Sequence, residues 1–494
     1  MKKYSLMIMA GLVLGVGACN TDPVSNLNQV TPGSDHGSMN SLFEGMLYFT
    51  RLSLGNQIIM FSSFSRDAMN FTTTDNEFIT MWGGDGTAIS SSRFYGTTNW
   101  SNWFAAVRQA QILLGKLPSA APAYSAGDIA KWKGIIYTLE AYSYMNAEYT
   151  KDTLGLPYAG PLGDPNTPAP ILCARDAWKQ IVALLDSGET QLNVDQSPGL
   201  PVPLPKGFAA VSGQASPSNV PGSFAALNRA LAAKANLELA YAVARSPGGT
   251  PPTPTSPGSP DIAALTRADS AMRASALYDS TAISTSTAGD FSEALGVYQD
   301  FSGASGDIPN GFQGAYLTTA YVLNETLADI EPGDHRLGKL ITSPGGAPGT
   351  PYAPNVASTL TYGMYQTPSS PMPIIRNEEL HLIEAQIQLG LGNIQGAVNS
   401  INSVRQQVGG LTPISNTQTY FTLRNQILHE LRASTMGEPN GDRVHAIRDY
   451  GMAAVVDTTW TLHPNPGPDL HSTVEPFSVN DQTARGGNTA YVCP

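Results

Sequence analysis

The sequence predicts a mainly α fold: a single domain of helix pairs joined by long, irregular Pro/Gly-rich loops. Three observations carry this. Apolar residues recur at three- and four-residue spacing wherever a period is visible, alternation at period two is scarce, and many of the 48 glycines and 37 prolines gather in stretches without a period.

In chain order, the first segment is of another kind. Lys2 and Lys3 precede an apolar run from Ser5 to Ala18, which is shorter than the roughly 20 residues of a membrane-spanning helix. A basic start, an apolar stretch of about 7–15 residues and small residues before a cut make the order of a secretion signal. Val16-Gly17-Ala18-Cys19 also resembles a bacterial lipobox, in which the cysteine is lipidated and becomes the first residue of the mature chain. Residues 1–18 are therefore expected to be a lipoprotein signal peptide, Cys19 the lipidation site, 19–32 a polar tether and 33–494 the folded domain. Several acyl chains on one residue anchor a protein stably, whereas a single chain binds only marginally.

Helices follow. Trp100, Trp103, Phe104, Val107, Gln111 and Leu114 keep helical spacing along one face, which places both tryptophans in the core. Trp132, Ile135, Leu139, Tyr142, Met145 and Tyr149 repeat it, and residues 128–150 are expected to pair with 174–192. An Ala-rich helix over 223–245, with Ser223 as N-cap, is expected to pair with 261–279. In "EELHLIEAQIQLGLGNIQGAVNSINSVRQQVGGL", Leu380, Ile383 and Ile387 line one helix and Gly390 to Asn393 turn the chain. Ile394, Val398, Ile401, Val404 and Val408 line the next helix, which Gly409-Gly410 ends. Two antiparallel helices of this length are tetratricopeptide-like. The connections between pairs vary too much for a fixed sequence period. Three of them, Ser197–Gly222, Ser246–Pro260 and Ser343–Pro354, hold prolines without the amide donors that helix or sheet requires, and read as loops of one domain.

Composition excludes some functions. Loss of Lys2 and Lys3 with the signal takes the net charge from −12 to −14, and no basic run exists, so nucleic acid is not an expected partner. Charged residues make up 13%, about half the usual share. Ser, Thr, Asn and Gly carry the polarity instead, which suits a protein outside the cytoplasm. Besides Cys19 only Cys173 and Cys493 remain; they either pair in an oxidising compartment or sit as two small hydrophobes.

No catalytic signature is present. "GLGNIQG" from Gly390 has the wrong spacing for a dinucleotide fingerprint and follows a helix where a strand is required. His381 with Glu384, and His429 with Glu430, lie outside any HExxH, and seven scattered histidines read as solvated helix positions rather than metal ligands. Gly-x-Ser-x-Gly, Walker and Cys-x-x-Cys motifs are missing. Carboxylate pairs remain possible among 39 acids, so a glycosidase is disfavoured and still open.

At the helix pair, "PIIRNEELHLIEAQIQLGLGNIQGAVNSINSVRQQVGG" resembles the C-terminal signature of the SusD/RagB family of outer-membrane nutrient-binding lipoproteins. The matching positions are Arg376, Glu379, Glu384-Ala385, Ile401-Asn402 and Val404-Arg405. "ILHELRASTMGEPNGDRVHAIRDYG" resembles the family's next element, an Arg-rich helix closing on Gly-x-Arg, while "NWSNWFAAVRQAQILLGKL" and "KGIIYTLEAYSYMNAEYTKDTLGLPY" resemble its early helices. Val444 stands where the family usually has Trp, Ala446 where an acid is usual, and the tail after Thr459 lacks the family's ending. Arg376, Glu384 and Arg405 read as charges that pin packed helices together rather than as ligand contacts.

The resemblance implies a lipoprotein held at the outer membrane through Cys19, exposed at the cell surface, that captures a nutrient, typically an oligosaccharide, for a SusC-like TonB-dependent transporter. It implies binding without turnover, with no catalytic residue, cofactor or metal. A surface-anchored glycoside hydrolase and a tetratricopeptide-like protein-binding scaffold are the alternatives. For the ligand, the loop "MWGGDGTAISSSRFY" offers Trp82 as an aromatic platform ahead of Gly83-Gly84-Asp85-Gly86, with Asp85 and Arg93 to hydrogen-bond hydroxyls and Tyr95 able to do both. Tyr298, in "VYQDFSGASG", is the candidate for an opposite wall.

Overall fold

The computed structural model describes residues 36–72, 94–158, 168–279, 296–304, 307–348, 357–453, 477, 479–485 and 493. The expected signal peptide and tether lie outside them. Among them, no helix is long and apolar enough to cross a membrane.

Helices α1 (His36–Leu52), α2 (Leu54–Phe64), α3 (Phe94–Ala120), α4 (Ala126–Lys151), α5 (Ala174–Leu192), α6 (Phe224–Arg245) and α7 (Ile262–Ala274) form the first part. The short α8 (Gly311–Ala315) and α9 (Asn324–Asp329) follow, then α10 (Asn377–Gly390), α11 (Ile394–Gln407), α12 (Tyr420–Thr435), α13 (Asp442–Asp449) and α14 (Val479–Ala484). Most of the long helices pack on the next long one: α1 on α3, α3 on α4, and so on through α7, which meets α10, and α10 on α11. All three expected pairs form: α4 with α5, α6 with α7, and α10 with α11. They share one continuous hydrophobic core.

Local sequence explains the stack. The α10–α11 turn runs through Gly392 at φ +75°, and the Asn393 side chain caps α11 by accepting from the Gly396 amide. Asp261 caps α7 through the amides of Ala263 and Ala264. At the α4–α5 crossing Gly134 faces Gly188: a Cβ on Gly134 would stand 2.5 Å from Leu192 Cγ and 3.0 Å from the Gly188 carbonyl. The alanines of α6 serve the same end, because small side chains let α5 and α7 approach from two sides.

Two local expectations need correction. Ser223 precedes α6 with extended backbone but caps nothing; its hydroxyl donates to the Ala215 carbonyl at 3.1 Å. Helix α7 ends at Ala274, five residues before the expected 279. One feature was also underestimated. From Ala130 to Lys151, α4 is buried on nearly every side, although its periodicity marks one apolar face. It lies between α3 and α5, so even Lys131 is held inside, donating to the Ser197 carbonyl at 3.0 Å.

The strands are short antiparallel ribbons, in keeping with the scarce period-two pattern: β1 (Ala68–Asn70) with β5 (Ala320–Val322), β2 (Leu156–Pro157) with β3 (Ile171–Leu172), β4 (Gly296–Gln299) with β8 (Met372–Arg376), and β6 (Leu340–Thr342) with β7 (Leu360–Tyr362). Of the three Pro/Gly-rich segments, 197–222 holds only a 3-10 turn at Lys206–Val211 and 246–260 has no helix or strand; 343–354 is described only to residue 348.

Cys173 and Cys493, left open by the sequence, form a disulfide with Cα atoms 5.4 Å apart. Phe477 packs edge-on against Trp100 with centroids 5.4 Å apart, so the C-terminal segment is tied into the fold at more than one point.

Candidate functional site

Of the proposed ligand residues, Trp82, Asp85 and Arg93 lie outside the described residues. Tyr95 falls in the first turn of α3, and its side chain is outside them too. The residues that flank these positions in sequence are described. Phe71, just past β1, donates its amide to the Thr319 carbonyl at 2.8 Å and meets the Tyr321 ring at 5.9 Å. On the C-terminal side Trp100 and Trp103 are both buried in the core, as their helical spacing requires. Lys151 sits over the Trp100 ring, 4.7 Å from its centroid.

Tyr298 is corrected. It lies in β4 opposite Pro373 of β8 and only 1% of it is exposed, so it offers no wall to a ligand. The reason is the strand itself: β4 is buried along its whole length, and Gly207 passes so close that a Cβ there would stand 2.3 Å from the Tyr298 carbonyl.

The residues of the C-terminal signature come together as an internal network of charges. Arg376 ends β8 and is buried; its Nη1 donates to Glu378 at 2.9 Å, its Nε to Glu438 at 3.1 Å and its Nη2 to the Ser434 carbonyl at 3.0 Å. Glu379 accepts from Lys234 Nζ at 2.8 Å and from Asn440 Nδ2 at 3.1 Å. Lys234 reaches Asp442 as well, at 2.5 Å. Arg405 Nη1 bridges Glu331 and Glu430 at 2.5 and 2.6 Å. Asn402 clamps the loop after α11, accepting from the Ile414 amide at 2.7 Å and donating to its carbonyl at 3.1 Å. These are contacts within the fold, as the reading of paired charges on packed helices expects.

The network shapes ionisation. Burial works to raise the Glu378 carboxyl, but the charges of Arg376, Lys339 and Arg336 overcome it and hold the group down at about 2. Burial wins at Glu140 against the hydrogen bond from Gln111 and pushes it up to about 7. Glu384 is likewise pushed up to about 7 by burial and by the neighbouring Asp269. Burial also pushes His445 well down, with Arg448 adding to the effect; this neutral ring stacks on Tyr149 at 3.9 Å.

Among the described residues Glu331, His429 and Glu430 bring three possible metal-ligand atoms within 4.8 Å of one another. Arg405 lies on both carboxylates, and Arg336 Nη2 takes the second oxygen of Glu430 at 2.7 Å. A cation at this cluster would have to compete with two guanidinium groups for the carboxylates of Glu331 and Glu430. At the other histidine considered, His381 Nε2 lies 2.9 Å from the Asp279 carbonyl, while Glu384 turns to Arg273 and Gln388.

The sequence reading missed the network partners Lys234, Glu438 and Asp442. One signal was available for Lys234: the apolar helix stretch "ALAAKANLELA" carries Lys234 and, one turn on, Glu238, and charges inside such a stretch need partners. Glu438 and Asp442 follow no helical spacing to their partners.

No protein-family model and no curated protein matches the sequence. Solved structures do match the fold. The chain is 13% identical to B. fragilis NanU, with 94% of this chain and 97% of that one covered at a TM-score of 0.65. Surface glycan-binding protein A from Bacteroides fluxus is 14% identical, with coverage of 93% and 98% and a TM-score of 0.64. A SusD-like carbohydrate binding protein from Bacteroides vulgatus is 13% identical, with coverage of 84% and 83% and a TM-score of 0.61. The chain therefore shares the fold of these solved structures, among them a SusD-like protein, and that is the fold the C-terminal signature implies.

Proposed function

We propose that the protein is a lipoprotein of the outer membrane, exposed at the cell surface, that binds an oligosaccharide and delivers it to a SusC-like TonB-dependent transporter. The observation that carries this is the likeness of nearly the whole chain to proteins named as carbohydrate- and glycan-binding. The order of basic, apolar and small residues up to Cys19 supports the anchor. Binding without turnover is the activity. Trp82 is the proposed platform, with Asp85, Arg93 and Tyr95 beside it.

Calorimetry against a panel of purified oligosaccharides tests the reading, with product analysis of the same mixtures. One glycan is expected to bind and to be recovered intact; cleavage would favour the hydrolase, and binding of none the scaffold. For that glycan, Trp82→Ala is expected to cost on the order of 2 kcal/mol, more than tenfold in affinity, with thermal stability nearly unchanged. Unaltered affinity, or a melting temperature lower by many degrees, would remove Trp82 from the site. Cys19→Ser is expected to release the protein from the outer-membrane pellet; retention there with normal processing refutes the lipid anchor.

A further inference from the structure

Contacts from three distant parts of the chain close into a ring that passes through the end of the β2–β3 ribbon. The Trp100 ring, met edge-on by Phe477, lies 4.6 Å from Phe104; Phe104 lies 6.2 Å from Tyr144, and Tyr144 5.1 Å from Tyr158. Tyr158 donates its amide to the Pro170 carbonyl at 2.9 Å, and the adjoining Ala169 carbonyl accepts from Arg485 Nη1 at 2.6 Å. Asp481 Oδ2 holds Arg485 Nε at 2.9 Å, and Gln482 Nε2 donates to the Phe477 carbonyl at 2.9 Å, which completes the ring. Cys493 then bonds Cys173, the residue between β3 and α5. Gly155 passes beneath with φ +82°, and a Cβ there would stand 3.2 Å from Cys493 Sγ and 2.3 Å from the Leu172 carbonyl.

We propose that the C-terminal segment is a strap, locked by the Cys173–Cys493 bond, that fixes the early turns of α3 to the β2–β3 ribbon, and that thiol–disulfide exchange at this bond regulates ligand affinity. The regulatory half rests on the ligand-binding reading above, because α3 begins at Phe94, next in sequence to Arg93, and includes Tyr95. Both cysteines are partly exposed, so a dithiol reductant has access. Its thiolate attacks one sulfur to give a mixed disulfide, and its second thiol displaces the remaining cysteine. Two electrons pass to the protein, Cys173 and Cys493 end as thiols, and the reductant ends as a cyclic disulfide. With the bond closed, Phe477 and Arg485 are held at high effective concentration beside their partners; once it is open they must find them as the end of a free chain.

Hydrogen exchange with mass spectrometry on the full chain, oxidised or treated with dithiothreitol, tests the strap, and glycan titration on the same samples tests the regulation. Reduction is expected to speed exchange at least tenfold in peptides covering 100–104, 155–158 and 168–172, leave α10 to α12 unchanged, and weaken glycan binding at least fivefold. Cys493→Ser is expected to reproduce both effects without reductant. Unchanged exchange, or loss of protection spread evenly into α10 to α12, overturns the strap. Local loosening with unaltered affinity overturns the regulation. If no glycan binds either form, the functional reading fails and the exchange data still decide the strap.

Discussion

Arg376→Ala is expected to lower the unfolding free energy by about 3–5 kcal/mol, the cost of breaking a buried ion pair by removing one partner. The carboxylate it abandons in Glu438 is fully buried, and Glu378 nearly so. Most of the loss comes from leaving those two buried acids to Lys339 and Arg336 alone, rather than from the hydrogen bonds themselves. Lys179→Ala is the control. That side chain is 54% exposed and pairs with Asp176, itself 43% exposed, one helical turn away, so its removal should cost less than about 1 kcal/mol. Urea unfolding followed by circular dichroism measures both. Equal shifts in the two variants would show that Arg376 is no more than a surface-type pair.

Stability is expected to fall as pH rises from about 5 to 8, and Glu140→Gln to abolish part of that fall. The Glu140 carboxyl has an ordinary value of 4.5 and is pushed up to about 7 by burial. Below 4.5 it is protonated in both states and imposes no penalty. Between there and its folded value the unfolded chain releases the proton while the folded one keeps it, so folding loses about 1.4 kcal/mol per pH unit. Above the folded value the loss is complete, on the order of 3 kcal/mol for this group. Glutamine stays neutral and retains an oxygen for Gln111 Nε2, which now donates to Glu140 at 3.3 Å. The variant should melt higher than wild type at pH 8 and about equally at pH 4.5; an equal difference at both would refute the cause. Glu384 is pushed up in the same sense, whereas Glu378, held at about 2, loses its contribution as pH falls from its ordinary 4.5 toward that value. Maximum stability should therefore lie on the acid side of neutral.

How far the sequence could be read depended on the range of each interaction. Leu380, Ile383 and Ile387 announce their helix because the residues that share a face are three or four apart. The α10–α11 pair was legible for the same reason, its turn to within one residue, since Gly390 still belongs to α10. Lys131, Glu140 and Glu148 gave no sign that α4 is enclosed, since enclosure is decided by α3 and α5 rather than by α4. Tyr298 failed similarly: a tyrosine before a polar, Gly-rich stretch looks like a loop residue until β8 pairs with β4 and closes over it. The disulfide was undecidable because Cys173 and Cys493 are 320 residues apart. For the candidate site, chemistry named Trp82 and its neighbours, and periodicity could only remove Trp100 and Trp103 from contention.

A stack in which each helix rests on the next could in principle assemble from one end as it is made, one pair at a time. This one is stitched back on itself. Asp67, which follows α2, is paired with Arg432, 365 residues later, at 3.0 Å; Tyr149 waits for His445, and Lys234 for Glu379 and Asp442. During synthesis the early helices thus emerge with buried charges whose counterions do not yet exist. The first half of the chain should stay loosely folded until α12 and α13 arrive, and then close in one cooperative step. Native contacts so remote in sequence make that step slow, because the ends of a very long loop must meet before either gains anything.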